Sequence, residues 1–341
     1  MKEHEFRNKI YWFTFFFSVL VVWAHSFNAE LFLGQGSVAE SVEHVENFFG
    51  DTLAQIAVPG FFMISSYLFF RNFDISRLRG KWDSRIDSIL IPYILWNAIY
   101  YAGYLLASRL PGLSQVVGKG VIPWSLQELT RAILHYKYNY VFWYLYQLIL
   151  LIVLAPVIYM LIRKKVTGFL YLGFVAMAVH SRWQLPQLNM DALFYYSTAA
   201  YLALHARTWV ETGAGRGRML TGLAMIATAC VCQYLYVSQA AVLAIVLGRF
   251  LAPAGLWLIA DERKLPEPKS WMTNNFFLYA THFAFVRLIN KTGALVLPAL
   301  PVVAFIMFFM MPVYTVIISH IIGTFMRKSA PNTWKLLNGS R

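Results

Sequence analysis

The sequence predicts an all-α membrane protein, a polytopic bundle of about ten transmembrane helices with both termini cytoplasmic. Three observations carry that expectation. Hydrophobic residues make up 59% of the chain and charged residues only 13%, where ordinary soluble domains have roughly a quarter charged. Apolar stretches of bilayer-spanning length recur along nearly the whole chain. The basic residues fall in short runs between those stretches, and alternate runs hold 21 of the 29 lysines and arginines. That alternation is the bias that orients membrane helices, and it places the richer side in the cytoplasm. The net charge of +13 therefore reflects topology. Nucleic acid is excluded as a partner, because binding it calls for a clustered basic face on a soluble module.

Taken in order, the stretches read as spans are 10–27, 53–70, 89–107, 140–162, 167–182, 191–206, 218–236, 239–259, 272–289 and 295–325. The first has the basic start and apolar run of a secretory leader. No small-residue cleavage site follows it, so it reads as a retained helix. Two loops on the outer side are long. Residues 28–51 carry Glu30, Glu40, Glu43, Glu46 and Asp51 and no lysine or arginine. Within them Val38, Val42, Val45 and Phe49 recur at helical spacing behind Ser37 and Glu40, which have the spacing of a capping box. Residues 108–139 repeat the device, with Ser125 and Glu128 opening an apolar stripe of Leu126, Leu129 and Ile133. Both loops are expected to roof a cavity that opens outward. No repeat or soluble domain is visible, so residues 1–326 read as a single transmembrane domain and 327–341 as a short cytoplasmic tail. Cys230 and Cys232 are two apart in an apolar segment, a spacing that turns them away from each other on a helix.

Polar side chains inside such spans are costly unless they have a partner or a task. Thr14, Ser18 and His25 fall on one stripe of the first helix, and the eleven steps from Thr14 to His25 span roughly 16 Å at 1.5 Å each. Asn275, Tyr279 and His282 make a similar stripe in "NNFFLYATHF". Ser65 and Ser66 lie in the second span, and "FWYLYQ" opens the fourth with Trp143, Tyr144 and Tyr146. Ordinary roles compete for most of these: a helix-to-helix hydrogen bond for His282, close packing for the serines, an interfacial belt for the aromatics. His25 is the hardest to assign such a role.

In chain order, the motifs resemble the integral membrane acyltransferase 3 family. "LVVWAHS" matches that family's first helix with its histidine at His25. "VPGFFMISSYLFF" matches the second helix, with Ser66 where glycine is usual, and "RIDSILIPYILW" matches the third from Arg85 to Trp96. Trp143, Tyr144, Leu145 and a later Pro156 fit the fourth, "FFLYATHF" around His282 fits the ninth, and "LLNGSR" fits the ending of shorter members. Two positions depart: Thr14 and Ser88 stand where the family usually carries basic residues.

The resemblance implies a multi-pass protein of the inner or plasma membrane that transfers an acyl group from cytosolic acyl-CoA to an extracytoplasmic glycan or lipid-linked sugar. The charge-poor interior favours a short neutral acyl group, so acetyl-CoA is the expected donor, and no metal is implied. His25 is the expected general base, with Ser65 or Tyr279 donating to the oxyanion and His282 as a polar partner. Arg85, Arg71, Arg79 and Lys81 are expected near the donor phosphates, with Thr14 and Lys9 on the first helix, and Trp143, Tyr144 and Tyr146 near the sugar. The rival readings are a glycan transporter, which would show broken spans in matching halves, and a binding or sensing module on the same scaffold.

Overall fold

A computed structural model of the chain describes residues 1–114 and 118–339. Ser340 and Arg341, the end of the "LLNGSR" motif, lie outside the described residues. The described residues form helices and connections with no strand, so the all-α membrane class holds. They divide into two compact units, one of Met1–Ile75 with Leu154–Ile322, the other of Ser76–Val153 with the chain from Gly323 onward.

The first unit opens with α1 (Glu3–Trp23) and two short helices, α2 (Ala29–Leu33) and α3 (Ser37–Asn47). Residues 48–56 continue through a π turn and a 3-10 turn into α4 (Ala57–Phe70). The second unit has α5 (Leu78–Arg85), a π turn over Ile86–Leu90, and α6 (Ile91–Ala107), which starts with Pro92 in its first turn where no amide hydrogen is needed. It continues with α7 (Leu126–Leu134) and α8 (Trp143–Val153). Back in the first unit follow α9 (Ala155–Ile162), α10 (Lys165–His180), α11 (Met190–His205), α12 (Arg207–Glu211), α13 (Arg216–Gln239), α14 (Val242–Ile259) and α15 (Asn275–Val296). The chain closes with α16 (Pro301–Ser329) and α17 (Pro331–Asn338).

Each of the ten stretches read as spans is mainly helical, but 10–27 leaves the helix after Trp23 and 295–325 is broken at residues 297–300. Among the described residues, five continuous helical stretches are long and apolar enough to cross a membrane: Ser37–Phe70, Ile75–Ala107, Arg216–Gln239, Val242–Ile259 and Pro301–Ser329. The expected straight span 140–162 is instead a pair bent by 59°, which makes a sixth if counted as one. The bend falls at Leu154, where Pro156 in the first turn of α9 has no amide hydrogen to carry the helical ladder back. Ser37 is not a cap either. Gly36 takes that place at φ 139°, and no side chain caps α3. Ser125 does cap α7, accepting from the Glu128 amide at 3.1 Å. The Glu128 carboxylate turns away from the reciprocal bond and meets Lys137 and Tyr138.

Packing in the first unit follows small residues. α13 and α14 are joined through Ala240, a non-glycine residue held at φ 52°, and approach until their backbones touch. A methyl group on Gly222 would stand 2.6 Å from the Gly255 carbonyl oxygen, and one on Gly255 would stand 2.7 Å from that of Gly222. Only glycine at both positions allows that approach. α4 meets α11 through Ser66, which is fully buried and donates to the Tyr196 carbonyl at 2.5 Å. In the second unit Trp96 donates to the Leu337 carbonyl at 2.9 Å, so α17 docks on α6 with Trp334 and Leu337 buried.

Candidate functional site

His25 does not ride on the first helix as the stripe with Thr14 supposed. α1 ends at Trp23, and His25 follows in a tight turn closed by its amide on the Val22 carbonyl and the Ser26 amide on that of Trp23, both 3.0 Å. Three further contacts pin the turn. The Ser26 hydroxyl donates to the Val22 carbonyl at 2.6 Å. The Asn290 amide on α15 donates to the carbonyls of Ser26 and Phe27 at 3.2 and 3.3 Å. The buried Glu46 carboxylate accepts from the amides of Asn28 and Ala29 at 3.0 and 3.3 Å, satisfying orphan donors at the start of α2. Sequence reasoning missed both Asn290 and Glu46. Asn290 sits eight residues after His282, two helical turns along the same face, and that spacing was its available signal.

The pinned turn brings the two histidines together. The His25 ring lies 5.3 Å from that of His282 and 5.7 Å from that of Phe283, centroid to centroid. His282 is fully buried, and its Nδ1 is 2.6 Å from the Tyr279 carbonyl oxygen. A carbonyl only accepts, so Nδ1 carries the hydrogen and Nε2 keeps a lone pair. That Nε2 is buried and has no hydrogen-bond partner among the described residues. Buried polar atoms left in this state are costly and uncommon, and they concentrate where a fold keeps a group for use. Tyr279 is half-buried, with its ring 5.9 Å from that of His282.

The N-terminal half of α1 is arranged differently. Lys9 is 1% exposed. Its ammonium donates to the Ala260 carbonyl at 2.7 Å, lies 3.6 Å from the Glu262 carboxylate, and sits over the Trp257 ring at 4.6 Å. Arg71, at the end of α4, donates to both oxygens of Glu3 at 3.0 and 2.6 Å and to both of Glu211 at 2.8 and 2.9 Å, with its guanidinium 4.3 Å from the Phe6 ring. Lys9 and Arg71 are thus neutralised by the protein's own carboxylates. Hydrogen bonds from Arg71 and then Arg7 hold the Glu3 carboxyl down at about 2. Burial alone would raise the Glu211 carboxyl, but bonds from Arg71, Tyr67 and Arg207 keep it below the usual range.

Thr14 faces α15, where its hydroxyl accepts from Asn275 at 3.2 Å and donates to the Ile10 carbonyl at 2.9 Å. Ser65 is half-buried on α4 beside the buried Ser66. The remaining expected site residues belong to the second unit. Lys81 and Arg85 are one helical turn apart on α5, with Arg77 one turn earlier at its N-cap, close enough for the two arginines to repel the Lys81 charge, and Arg79 is exposed. On α8, Tyr144 is buried, Trp143 and Tyr146 are half-buried, and the Tyr146 ring lies 5.6 Å from that of Tyr136. No group of three or more metal-ligating side chains occurs among the described residues.

Comparison with known proteins gives the following. A family model described as an acyltransferase domain, acyltransferase 3, matches residues 10–320. The succinoglycan biosynthesis protein ExoH of Rhizobium meliloti (strain 1021) is 25% identical over 174 residues. That match covers 46% of this chain and 43% of ExoH, so it spans less than half of the relative's length. No solved structure matches.

Proposed function

We propose, from the premise that this chain belongs to the acyltransferase 3 family, that it transfers an acyl group, acetyl in the first instance, from cytosolic acyl-CoA to a hydroxyl of an extracytoplasmic cell-envelope glycan. The family makes it a membrane acyltransferase. The similarity to a succinoglycan biosynthesis protein favours a polysaccharide or its lipid-linked precursor as acceptor. The observation that carries the reading is the paired His25 and His282, of which His282 has its tautomer fixed by the Tyr279 carbonyl.

In this reading His25 takes the proton from the acceptor hydroxyl as its oxygen attacks the thioester carbonyl carbon. The carbon–oxygen bond forms, the carbon–sulfur bond breaks, and the departing thiolate receives the proton from the His25 imidazolium. Products are an ester and free CoA thiol. An imidazole nitrogen can take a proton and give it back, which suits both transfers. The His282 ring, held by the Tyr279 carbonyl, packs beside that of His25, while Ser65 and Tyr279 are the hydroxyls proposed to meet the oxyanion. Arg77, Lys81 and Arg85 on one face of α5, with Arg79 beside them, are proposed to take the donor phosphates in the cytosol.

Release of CoA thiol by protein in nanodiscs, supplied with acetyl-CoA and a panel of envelope glycans, tests the reading. Release that depends on acceptor and disappears in His25→Ala supports it. Binding of donor or glycan with no thiol release across the panel overturns it in favour of a binding or transport role.

A further inference from the structure

In the second unit, the connection between α6 and α8 carries a helix whose faces are inverted. On α7 the buried stripe holds Glu128 and Ala132, 4% and 1% exposed, while Leu126 and Leu134 are 78% and 55% exposed. Just ahead of it Val121 and Trp124 are 70% and 79% exposed. A helix lying in water does the opposite, turning its leucines inward and its glutamate outward. Glu128 is matched where it lies: Lys137 and Tyr138 both donate to its carboxylate, the tyrosine at 2.6 Å, and Arg131 stands 3.7 Å away.

What covers the apolar stripe follows from where α7 is tied. The Tyr101 hydroxyl on α6 accepts from the Ser125 amide at 3.3 Å and donates to the Pro123 carbonyl at 2.7 Å. Tyr93, earlier on the same helix, donates to the Ile133 carbonyl at 2.6 Å. Ser125 and Ile133 are as far apart along α7 as Tyr101 and Tyr93 are along α6, about 12 Å at 1.5 Å per residue, so α7 runs beside α6 in the opposite direction. Both tyrosines belong to Ile91–Ala107, which has no charged residue and is the apolar part of a stretch long enough to cross a membrane. Its 17 residues cover about 25 Å of a hydrocarbon layer about 30 Å thick. α7 therefore lies at membrane depth.

The backbone agrees with that placement. Chain outside a helix persists at such depth only where its amides and carbonyls are bonded within the protein. Ahead of α7 the Ile122 amide donates to the Ser108 hydroxyl at 3.2 Å, and the Ile122 carbonyl accepts from Arg109 at 2.8 Å. Tyr101 serves Pro123 and Ser125, as above, and the Ser125 hydroxyl takes the Glu128 amide. Thr130, between Leu126 and Leu134 on one stripe, donates back to the Leu126 carbonyl at 2.8 Å. Beside that stripe Gln127, Arg131 and His135 make an exposed polar one. We propose that residues 121–134 are embedded in the bilayer, with Val121, Trp124, Leu126 and Leu134 against lipid chains and the polar stripe toward headgroups and water. The partner of this surface is the lipid itself, in place of the outward cavity that the connection was expected to roof. The inference goes beyond the acyl-transfer reading and uses none of the residues proposed for it.

Nitroxide accessibility tests this on the full chain in nanodiscs, with Cys230→Ala and Cys232→Ala as the background. Labels at Trp124→Cys, Leu126→Cys and Leu134→Cys are expected to collide several-fold more often with oxygen, which concentrates in hydrocarbon, than with a nickel chelate, which stays in water. Labels at Gln127→Cys and His135→Cys are expected to show the reverse. All five side chains are exposed, so these substitutions leave the packing intact. Wild-type protein gives a second reading that needs no substitution: a diazirine carried on lipid chains is expected to attach within residues 121–134. Nickel access at Leu126 and Leu134 equal to that at Gln127, or no lipid-borne label within 121–134, overturns the proposal. Neither readout depends on acyl transfer.

Discussion

At the N-terminal end of α1, Lys9 and Arg71 meet Glu262, Glu3 and Glu211, and their charges are matched inside the protein. Past its C-terminal end, His282 Nε2 and Asn28 Oδ1 are just as enclosed but are matched by nothing among the described residues. One helix thus joins a cluster built on ion pairs to one built without them, though buried atoms lacking a hydrogen-bond partner, Asn8 Oδ1 and Glu262 Oε2, occur at the first as well. Where burial is compensated, the polar groups fix the fold, because removing one partner leaves the other stranded. Where burial is left uncompensated, the cost is carried by packing elsewhere. The ion pairs are what distinguish the two ends.

The sharpest way to break this comparison is to substitute each end and measure both rate and stability. His25→Ala is expected to lower acyl transfer by about 10²- to 10⁴-fold, the usual worth of a general base, with the melting temperature unmoved. Lys9→Met should do the reverse. Stranding Glu262 without its cation is expected to remove about 3–5 kcal/mol of stability, while the folded fraction keeps its donor KM. Adding Glu262→Gln should restore much of the loss, and denaturation of the reconstituted protein reads both. If Lys9→Met instead raises the donor KM and leaves stability alone, Lys9 serves the donor and the contrast between the ends fails.

Asn290→Leu sharpens the comparison from the structural side of the proposed catalytic end. It frees the Ser26 and Phe27 carbonyls and with them the position of His25. We expect kcat to fall by about ten- to a hundredfold, with donor KM unchanged, as misplacing a base by a fraction of an ångström does. The smallest effect concerns pH. Glu3 has its folded pKa pushed down to about 2 from 4.5 by Arg71 and Arg7. Its contribution to stability is therefore fully present above about pH 4.5 and is lost as pH falls toward about 2. Because Glu3 is half exposed, the effect is modest. Glu3→Gln should flatten the decline of melting temperature in acid, and an unchanged profile would remove Glu3 from the stabilising cluster.

Much of this was legible in the sequence. Hydropathy located ten helical stretches, and Ser125 was recognisable as a cap because capping is read over three residues. The histidine pair was legible as two motifs, though not as a pair. What was not legible depends on partners far away in the chain. Arg71 reads as a cation for the donor phosphates, and nothing local announces Glu3 and Glu211, 68 and 140 residues distant. Lys9 has the same reading, with no local sign of the Ala260 carbonyl and Glu262. The bend at Leu154 was hidden by an unbroken apolar run, and the end of α1 at Trp23 by hydrophobicity that continues past it. Ser37 had the right spacing for a cap, but Gly36 supplied the backbone geometry one residue earlier.

The contact of Gly222 with Gly255 bears on how the protein is made. This close backbone approach joins two segments that follow each other directly, with Ala240 as their turn. Contacts of short sequence separation close first, because little chain entropy stands against them. Once synthesis has passed Ile259, α13 and α14 can leave the insertion machinery as a finished pair, before α15 with His282 has emerged. A bulky residue at either glycine would then be felt during biogenesis, as lost protein in the membrane and not as a slower enzyme.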